Sequence, residues 1–241
     1  MNILAVDTSA QALTTALKTD DFFEARTSEG RSVQHSERLM PTVLELCGNA
    51  KISTKDIELL ACTRGPGSFT GLRIGMAALK GMAFALDKPL VSVSTMEVLA
   101  NCVPYFDGAV VTVLDAKKQR WYLAVFEKTG KEAKRIMPDT DGTEAALIEV
   151  LKPYGKILVT GPDAETFAEV LEVFYTENGK KTKQIITDKN SYRYASVSLI
   201  DCALRNYEED GADNIGQGPV YLRKSDAEIA LEEREKEKRN G

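Results

Sequence analysis

Residues 63–75 read Thr63-Arg64-Gly65-Pro66-Gly67-Ser68-Phe69-Thr70-Gly71-Leu72-Arg73-Ile74-Gly75 and join two apolar segments. The three glycines at 65, 67 and 71 predict a tight turn whose backbone can approach another surface closely. The segment that follows, residues 72–86, carries only Arg73 and Lys80 as charges. A helix that is apolar on nearly every side must be covered on more than one side. Its own sheet can cover one side, and a second layer or a second protein must cover the other.

The composition is that of an ordinary globular protein with a mildly acidic balance. The chain has 241 residues, 43% of them hydrophobic, and a formal net charge of -5. This balance argues against a protein whose main task is to grip nucleic acid, since such proteins are usually basic. The four cysteines form no CxxC pair, so we expect reduced thiols rather than a zinc or redox motif. Neither a basic leader nor a long apolar span is visible, and we expect a cytoplasmic protein with no membrane partner.

The first half of the chain alternates extended and helical patterns. Short apolar runs over 3–6, 12–18 and 22–27 predict three strands, with the second and third joined by a hairpin turn. A helix is predicted over 36–50, then a strand near 59–62, the apolar helix to about residue 86, and a strand over 89–93. Ser94 and Glu97 stand at the spacing of a capping box and predict one more helix.

The second half repeats this order of elements. Strands are predicted over 109–114, 120–127, 132–137 and 156–160, and helices over 143–151, 164–174 and 195–208. The plan matches the actin/Hsp70-like (ASKHA) class of duplicated α/β domains, each with a mixed sheet flanked by helices. We therefore expect an N-terminal domain over residues 1–104, a C-terminal domain over 105–223, and a charged C-terminal tail over 224–241.

Two polar turns are candidates for contact with a nucleotide in such a fold. Asp7, Thr8 and Ser9 follow the first strand, where N–H and hydroxyl groups can meet phosphate oxygens and an aspartate can hold Mg²⁺ through water. Asp115 ends the matching strand of the second half, and Gly161 follows a later strand. The competing interpretation is that these side chains satisfy backbone donors at strand ends.

Conventional catalytic motifs find little support in the sequence. His35 is the only histidine and stands at a predicted helix start, where capping or packing is the commoner role. One histidine with scattered thiols cannot build a conventional zinc site. The glycine turn lacks the lysine of a phosphate-binding loop, and no GxSxG motif supports a serine hydrolase.

Taken together, four segments resemble the bacterial TsaB (YeaZ) family. They are residues 7–9, His35-Ser36-Glu37-Arg38-Leu39-Met40-Pro41, the glycine turn through Gly75, and Leu114-Asp115-Ala116, and the resemblance extends to Pro219-Val220-Tyr221-Leu222-Arg223. It implies an actin/Hsp70-like fold and a role in making N6-threonylcarbamoyladenosine at position 37 of tRNAs that read codons starting with A. It implies a catalytic TsaD-like partner, a TsaE-like ATPase, a homodimer when the protein is alone, and contact with tRNA only through the complex.

The resemblance also implies where this chain departs from its catalytic relative. TsaD-like chains carry two metal-binding histidines, and the corresponding positions here are Thr95 and Leu99, which supply no imidazole. The resemblance thus implies a non-catalytic dimerisation subunit with no metal, no catalytic residue and no cofactor of its own, while ATP or ADP at the subunit boundary is left open. The predicted interface comprises His35, Leu39, Met40, Val43, Leu46, Leu72, Arg73, Ile74, Met76, Leu79 and Met82.

Two other functions compete with this hypothesis. The first is an ATP-binding enzyme of the sugar-kinase (ASKHA) type that uses Asp7 and Asp115. The second is a protease, for which the sequence offers no nucleophile–base pair.

Overall fold

The computed structural model describes residues 1–30, 34–178, 183–214 and 216–223. Its first half forms a five-stranded sheet in the order β3-β2-β1-β4-β5. The hairpin strands pair antiparallel, while β4 and β5 join β1 in parallel, so the first sheet is mixed. Its strands are β1 (Ile3–Asp7), β2 (Leu13–Lys18), β3 (Phe23–Ser28), β4 (Leu59–Gly65) and β5 (Leu90–Ser94).

The second half builds a second sheet with the same plan. Its order is β10-β9-β6-β7-β8, and its pairings are antiparallel and parallel at the corresponding places. Its strands are β6 (Phe106–Asp115), β7 (Trp121–Gly130), β8 (Glu132–Gly142), β9 (Lys156–Thr160) and β10 (Gln184–Asp188). The predicted duplicated α/β architecture of the actin/Hsp70-like class is therefore confirmed.

Helices cover the faces of both sheets. They are α1 (His35–Asn49), α2 (Phe69–Leu86), α3 (Thr95–Cys102), α4 (Ile148–Leu151), α5 (Ala164–Glu177) and α6 (Ala195–Asp210). The first two pack side by side on one face of the first sheet, around a core that includes Leu4, Leu17 and Leu60. α6 packs on the opposite face against Ile3 and Ala61. α5 packs on the second sheet through Phe167 and Leu171.

One apolar cluster joins the two halves. Met96 and Leu99 of α3 pack against Leu114 and Phe126 of the second sheet, together with Tyr192. Burial of such side chains contributes roughly 1.5–3 kcal/mol each. The two sheets are thus joined by a shared core, and a cleft opens beside it, since Leu114 and Tyr192 belong to the cluster and also line the cleft.

Most predicted elements lie within a few residues of the observed ones, with two exceptions. The helix predicted over 143–151 is a short 3-10 turn followed by the four residues of α4. The strand β10 was not predicted, although Ile185, Ile186 and Thr187 form the kind of β-branched run that favours strands. It completes the correspondence with β5 of the first sheet.

The expected domain limits stay a prediction. Although α6 follows the second sheet in the chain, it packs on the first sheet. A division of the chain by residue number alone therefore separates α6 from the sheet on which it packs. The predicted tail over 224–241 lies outside the described residues.

Candidate interaction surface and the cleft between the sheets

The glycine turn brings the start of α2 directly onto the turn that follows β1. Ser68 caps the helix, because its Oγ accepts from the backbone N–H of Gly71 at 3.2 Å, and its own N–H donates to the Ser9 carbonyl at 2.7 Å. A Cβ at Gly71 would lie 2.0 Å from the Thr8 carbonyl oxygen, and one at Gly75 would lie 2.3 Å from Thr8 Oγ1. The glycines at 71 and 75 therefore serve this close packing within the chain.

The inward side of α2 is part of the chain's own core. Leu72, Met76 and Leu79 recur at the spacing of one helical stripe and are buried. Met76 and Leu79 belong to the core shared with the first sheet and α1, and Leu72 lies beside Gly65 at the end of β4. Among the described residues, α2 alone has the length and composition to cross a membrane, with a mean hydropathy of 1.2. The core helix of a soluble protein passes the same test.

Most of the predicted interface residues are buried within this chain. Because α1 and α2 share one face of the sheet, the apolar stripe that each directs toward the sheet is already covered by the chain itself, and a contact of these side chains with a partner stays a prediction. The residues concerned are Leu39, Val43, Leu46, Leu72, Met76, Leu79 and Met82.

A second stripe of α2 is more exposed than the first, although Ile74 within it also packs against the core. Thr70, Ile74, Ala77, Gly81 and Phe84 follow one another at steps of four, three, four and three residues, which is the spacing of one helix face. Phe84 is 84% exposed, and no charged residue belongs to this stripe. Large exposed aromatic side chains are costly to leave in water, since burying one stabilises by roughly 1.5–3 kcal/mol.

α1 extends this surface. Arg26 of β3 pairs with Glu45, so that side of α1 faces the edge of the sheet. Met40 and Leu44 are 36% and 58% exposed on α1, which packs beside α2. Together they form an apolar surface, named here the α1/α2 face, which comprises Met40, Leu44, Ile74, Ala77, Ala78, Gly81, Phe84 and Ala85.

Gly81 marks the place where another backbone could approach this face. A Cβ at Gly81 would meet no atom within 4 Å. The fold itself therefore does not require glycine here, unlike at Gly71 and Gly75. A small residue in an exposed apolar stripe allows a facing helix to come close.

The remaining predicted interface residues have separate surroundings. Met40 and Ile74 belong to the α1/α2 face. His35 begins α1 at the rim of the cleft, where its Nε2 lies 3.1 Å from the Gln11 carbonyl oxygen. Arg73 is exposed, but it is engaged with the chain's own C-terminal segment, because its Nε donates to the Tyr221 hydroxyl at 2.9 Å.

The cleft between the sheets has a volume of about 1010 Å³. Its walls come from the turn after β1, the starts of α1 and α2, the ends of β6 and β9, and residues 220–223. Ser9 and Asp115 line it, but Asp7, Thr8 and Gly161 do not.

Hydrogen bonds within the chain hold the turn after β1, and of its buried side-chain oxygens only the hydroxyl of Ser9 is without a partner among the described residues. Asp7 is 4% exposed, and its Oδ1 accepts from Thr63 Oγ1 at 2.7 Å and from the Ser9 N–H at 2.9 Å. Thr8 lies beneath the first turn of α2. The backbone N–H and carbonyl of Ser9 are both occupied by the chain itself. These hydrogen bonds agree with the competing interpretation, in which the polar side chains accept from backbone donors at the end of the strand.

The second turn is likewise committed to internal contacts. Burial raises the pKa of Asp115, but hydrogen bonds from the side chain and backbone N–H of Lys117 outweigh it and hold that pKa below its usual range. Asp163 accepts from the Asp115 N–H at 2.8 Å, and burial raises the pKa of Asp163. A Cβ at Gly161 would lie 2.2 Å from the Val113 carbonyl oxygen, so that glycine allows two strand ends to meet. The contacts of these residues lie within the chain, and their part in holding a Mg²⁺-nucleotide stays a prediction.

Relatives of known description share the full length of this chain. It is 30% identical, over 98% of its length and 100% of the relative's, to the tRNA threonylcarbamoyladenosine biosynthesis protein TsaB of Bacillus subtilis (strain 168). The chain belongs to the TsaB family. The Escherichia coli (strain K12) protein of the same description is 27% identical over 92% of this chain and 95% of its own length.

A family model and two solved structures also match this chain. Residues 29–231 match the family described as TsaD, tRNA N6-adenosine threonylcarbamoyltransferase. A solved Pseudomonas aeruginosa structure, described as YeaZ, superimposes with a TM-score of 0.70 at 23% identity, covering 92% of this chain and 99% of that one. A second, described as similar to peptidase YeaZ from the same organism, gives 0.73 at the same identity and the same two coverages. At that identity the likeness shows the fold.

The positions that correspond to the histidine pair of TsaD-like chains are part of the TsaB chain's core. Thr95 and Leu99 begin and line α3, and both are buried. Within the described ranges, no group of three or more His, Cys, Asp or Glu side chains is placed to hold a metal ion. The absence of a metal from this subunit's function nevertheless stays a prediction.

The predicted interface leaves out two exposed apolar side chains of the α1/α2 face. Leu44 and Phe84 were absent from the predicted interface, although the stripe 70-74-77-81-84 is visible in the sequence. The pattern contains two apolar stripes on α2, and only packing against the sheet tells which one is covered. The contacts of Tyr221 with Phe69 and Arg73 had no sequence signal beyond the extended segment at 219–223.

Proposed function

We propose that this chain is the non-catalytic dimerisation subunit of the machinery that transfers threonylcarbamoyl to N6 of adenosine 37 in tRNAs reading ANN codons. It pairs with a TsaD-like catalytic subunit, and a TsaE-like ATPase joins them. The TsaB relatives carry threonylcarbamoyladenosine biosynthesis in their names, and the matched TsaD family carries the transferase activity in its description. Both support placing this chain in that process.

The α1/α2 face is the observation that carries the proposed pairing. Met40, Leu44 and Phe84 expose apolar side chains on neighbouring helices, with small residues between them. Exposed apolar patches of this kind mark interaction sites in soluble proteins. A stable contact buries about 800 Å² per partner, which two adjacent helices of 15 and 18 residues can supply.

The same face accounts for a homodimer when the TsaD-like subunit is absent. An apolar face on one copy can cover the same face on a second copy around a two-fold axis. Self-association and pairing with the catalytic subunit then compete for one surface. Which one forms depends on partner concentration, and tRNA is reached only through the complex.

The proposal assigns no catalytic residue and no cofactor to this chain. The alternative of an ATP-binding enzyme needs Asp7 and Asp115 to face a Mg²⁺-nucleotide. Asp7 is instead bonded to Thr63 and to the Ser9 N–H, and Asp115 is bonded to Lys117. A nucleotide at the boundary between this chain and its partner stays open in this proposal.

Substitution of Phe84 tests the proposal. Phe84→Glu removes the largest exposed apolar side chain of the face and adds a charge, so pairing should weaken by at least about 2 kcal/mol, or roughly 30-fold. Val173→Glu is the matched control, because Val173 is 54% exposed on α5 of the second sheet. The measurement is co-purification with the TsaD-like subunit together with the threonylcarbamoyladenosine content of cellular tRNA.

The expected result is loss of pairing and of the modified nucleoside for Phe84→Glu and retention of both for Val173→Glu. Full pairing and full modification with Phe84→Glu would refute the proposal. Leu72→Glu and Leu39→Glu are unsuitable for this test, because both side chains are buried in the core and their loss would unfold the chain.

A further inference from the structure

The segment that follows α6 runs back along the edge of the first sheet. The Asp213 N–H donates to the Leu90 carbonyl at 2.8 Å, and the Asp213 carboxylate accepts from the Ser92 N–H at 2.8 Å. Further on, Lys80 Nζ donates to the Gln217 carbonyl. The Val220 N–H then donates to the Arg64 carbonyl at 2.7 Å, at the end of β4. The segment thus reaches the mouth of the cleft with its backbone tied to the sheet.

A three-membered stack fixes the segment at that mouth. The ring of Tyr221 stacks on the ring of Phe69 with 4.4 Å between centroids and 30° between planes. The guanidinium carbon of Arg73 lies 3.9 Å from the Phe69 centroid, and its Nε donates to the Tyr221 hydroxyl at 2.9 Å. Aromatic stacking and cation–π contacts add directional attraction to simple burial. Phe69 and Arg73 both belong to the first turns of α2.

The segment then crosses to the second sheet. Arg223 Nη1 donates to the Ala116 carbonyl at 3.2 Å, in the loop between β6 and β7. That loop is itself closed by the Ala116 N–H donating to the Arg120 carbonyl at 2.9 Å. Residues 220–223 therefore line the cleft and contact both of its walls.

We propose that residues 217–223 act as an intramolecular strap, which closes the mouth of the cleft and fixes the two sheets relative to each other. The strap is fastened to the first sheet by Val220 and by the stack of Tyr221 on Phe69 and Arg73. It is fastened to the second sheet by Arg223. Residues of the chain itself thus occupy the cleft mouth. The strap does not depend on which partner covers the α1/α2 face.

Gly65 supports this assignment independently. Its φ is +109°, and a Cβ there would lie 2.5 Å from the Val220 carbonyl oxygen. A residue with a side chain could therefore not adopt this backbone without displacing the segment. The end of β4 is shaped to receive Val220.

Hydrogen–deuterium exchange on the full chain tests the strap. Tyr221→Ala removes the stack, so exchange in peptides covering 216–223 should rise by about tenfold, as expected for losing such a contact. Because the strap joins both walls, exchange should also rise in peptides covering residues 116–120, and the radius of gyration in solution should increase. Arg223→Ala should raise exchange at 116–120 while residues 216–221 keep their protection.

Two further variants control for general loosening. Tyr194→Ala removes an aromatic side chain that is 63% exposed and outside the strap, and it should alter neither region. Tyr221→Phe keeps the ring and loses only the hydroxyl, so its effect should be smaller than that of Tyr221→Ala even if the latter folds poorly. The proposal is overturned if Tyr221→Ala changes exchange only within 216–223, or if Arg223→Ala leaves 116–120 unchanged.

Discussion

Asp7 is a residue whose contacts cannot be read from the sequence. In the sequence it ends a buried strand before a polar turn, where a fold of this class can hold Mg²⁺. In the structure its Oδ1 accepts two hydrogen bonds, from the Thr63 hydroxyl and from the Ser9 N–H. The sequence could not reveal this, because Thr63 lies 56 residues away and is brought near only by the parallel pairing of β1 and β4.

Asp163 provides a prediction about pH. Burial raises its pKa above its usual value near 3.8, and the neighbouring charge of Asp115 acts in the same direction, while Lys117 opposes both. The folded state therefore holds the proton more tightly than the unfolded state, so this group's contribution to stability falls as pH rises from about 4 through the raised pKa. Asp163→Asn removes the titration and keeps an oxygen to accept from the Asp115 N–H.

The variant should gain free energy of unfolding relative to wild type at pH 7, and this gain should shrink toward pH 4. Urea titrations at the two pH values measure it. Asp201→Asn, at an exposed position of α6, is the control for loss of one negative charge. A gain that is equal at both pH values, or larger at pH 4, would contradict the assigned cause.

At the scale of the element, α2 has two apolar sides with different tasks. The sequence predicts the helix, its start after the glycine turn and its need for cover on more than one side. It does not tell which stripe the sheet covers, since Leu72 and Phe84 are equally apolar. Packing against α1 and the sheet decides the matter, leaving Leu72 buried and Phe84 in solvent.

Substitutions of two glycines of α2 test the buried side and the exposed side of this helix separately. Gly71→Ala would place a Cβ 2.0 Å from the Thr8 carbonyl oxygen, and overpacking of this kind costs about 1–3 kcal/mol or more in the free energy of unfolding. Gly81→Ala meets nothing within 4 Å, and replacing glycine by alanine in an exposed helix position stabilises by up to about 1 kcal/mol. Thermal denaturation of both variants measures these opposite shifts.

The effect of Gly81→Ala on pairing should be opposite in sign to its effect on the stability of the isolated chain. Although Gly81→Ala stabilises the isolated chain, its added methyl group should weaken pairing, because it holds a facing helix away. A Gly81→Ala variant that is less stable than wild type would contradict the open surroundings of this residue.

At the scale of the whole molecule, the chain contains the same order of strands and helices twice. The order of strands and helices could be read from periodicity in both halves, because each half buries similar apolar runs in similar positions. The strand β10 was not predicted despite its β-branched run, and the packing of α6 on the first sheet could not be read, since it depends on contacts between distant parts of the chain. The cleft and the strap across it arise at this scale alone.

The central claim is that the α1/α2 face, and no other surface, meets the partner. Hydroxyl-radical footprinting of the full chain, with and without the TsaD-like subunit, tests it most directly, because oxidation reports the solvent access of individual side chains. The account predicts that Met40, Leu44 and Phe84 lose most of their reactivity in the complex, while the exposed Tyr105, Val173 and Tyr194 keep theirs. Unchanged reactivity at Phe84 in a complex that has formed, or protection centred on Val173 or Tyr194, would contradict it.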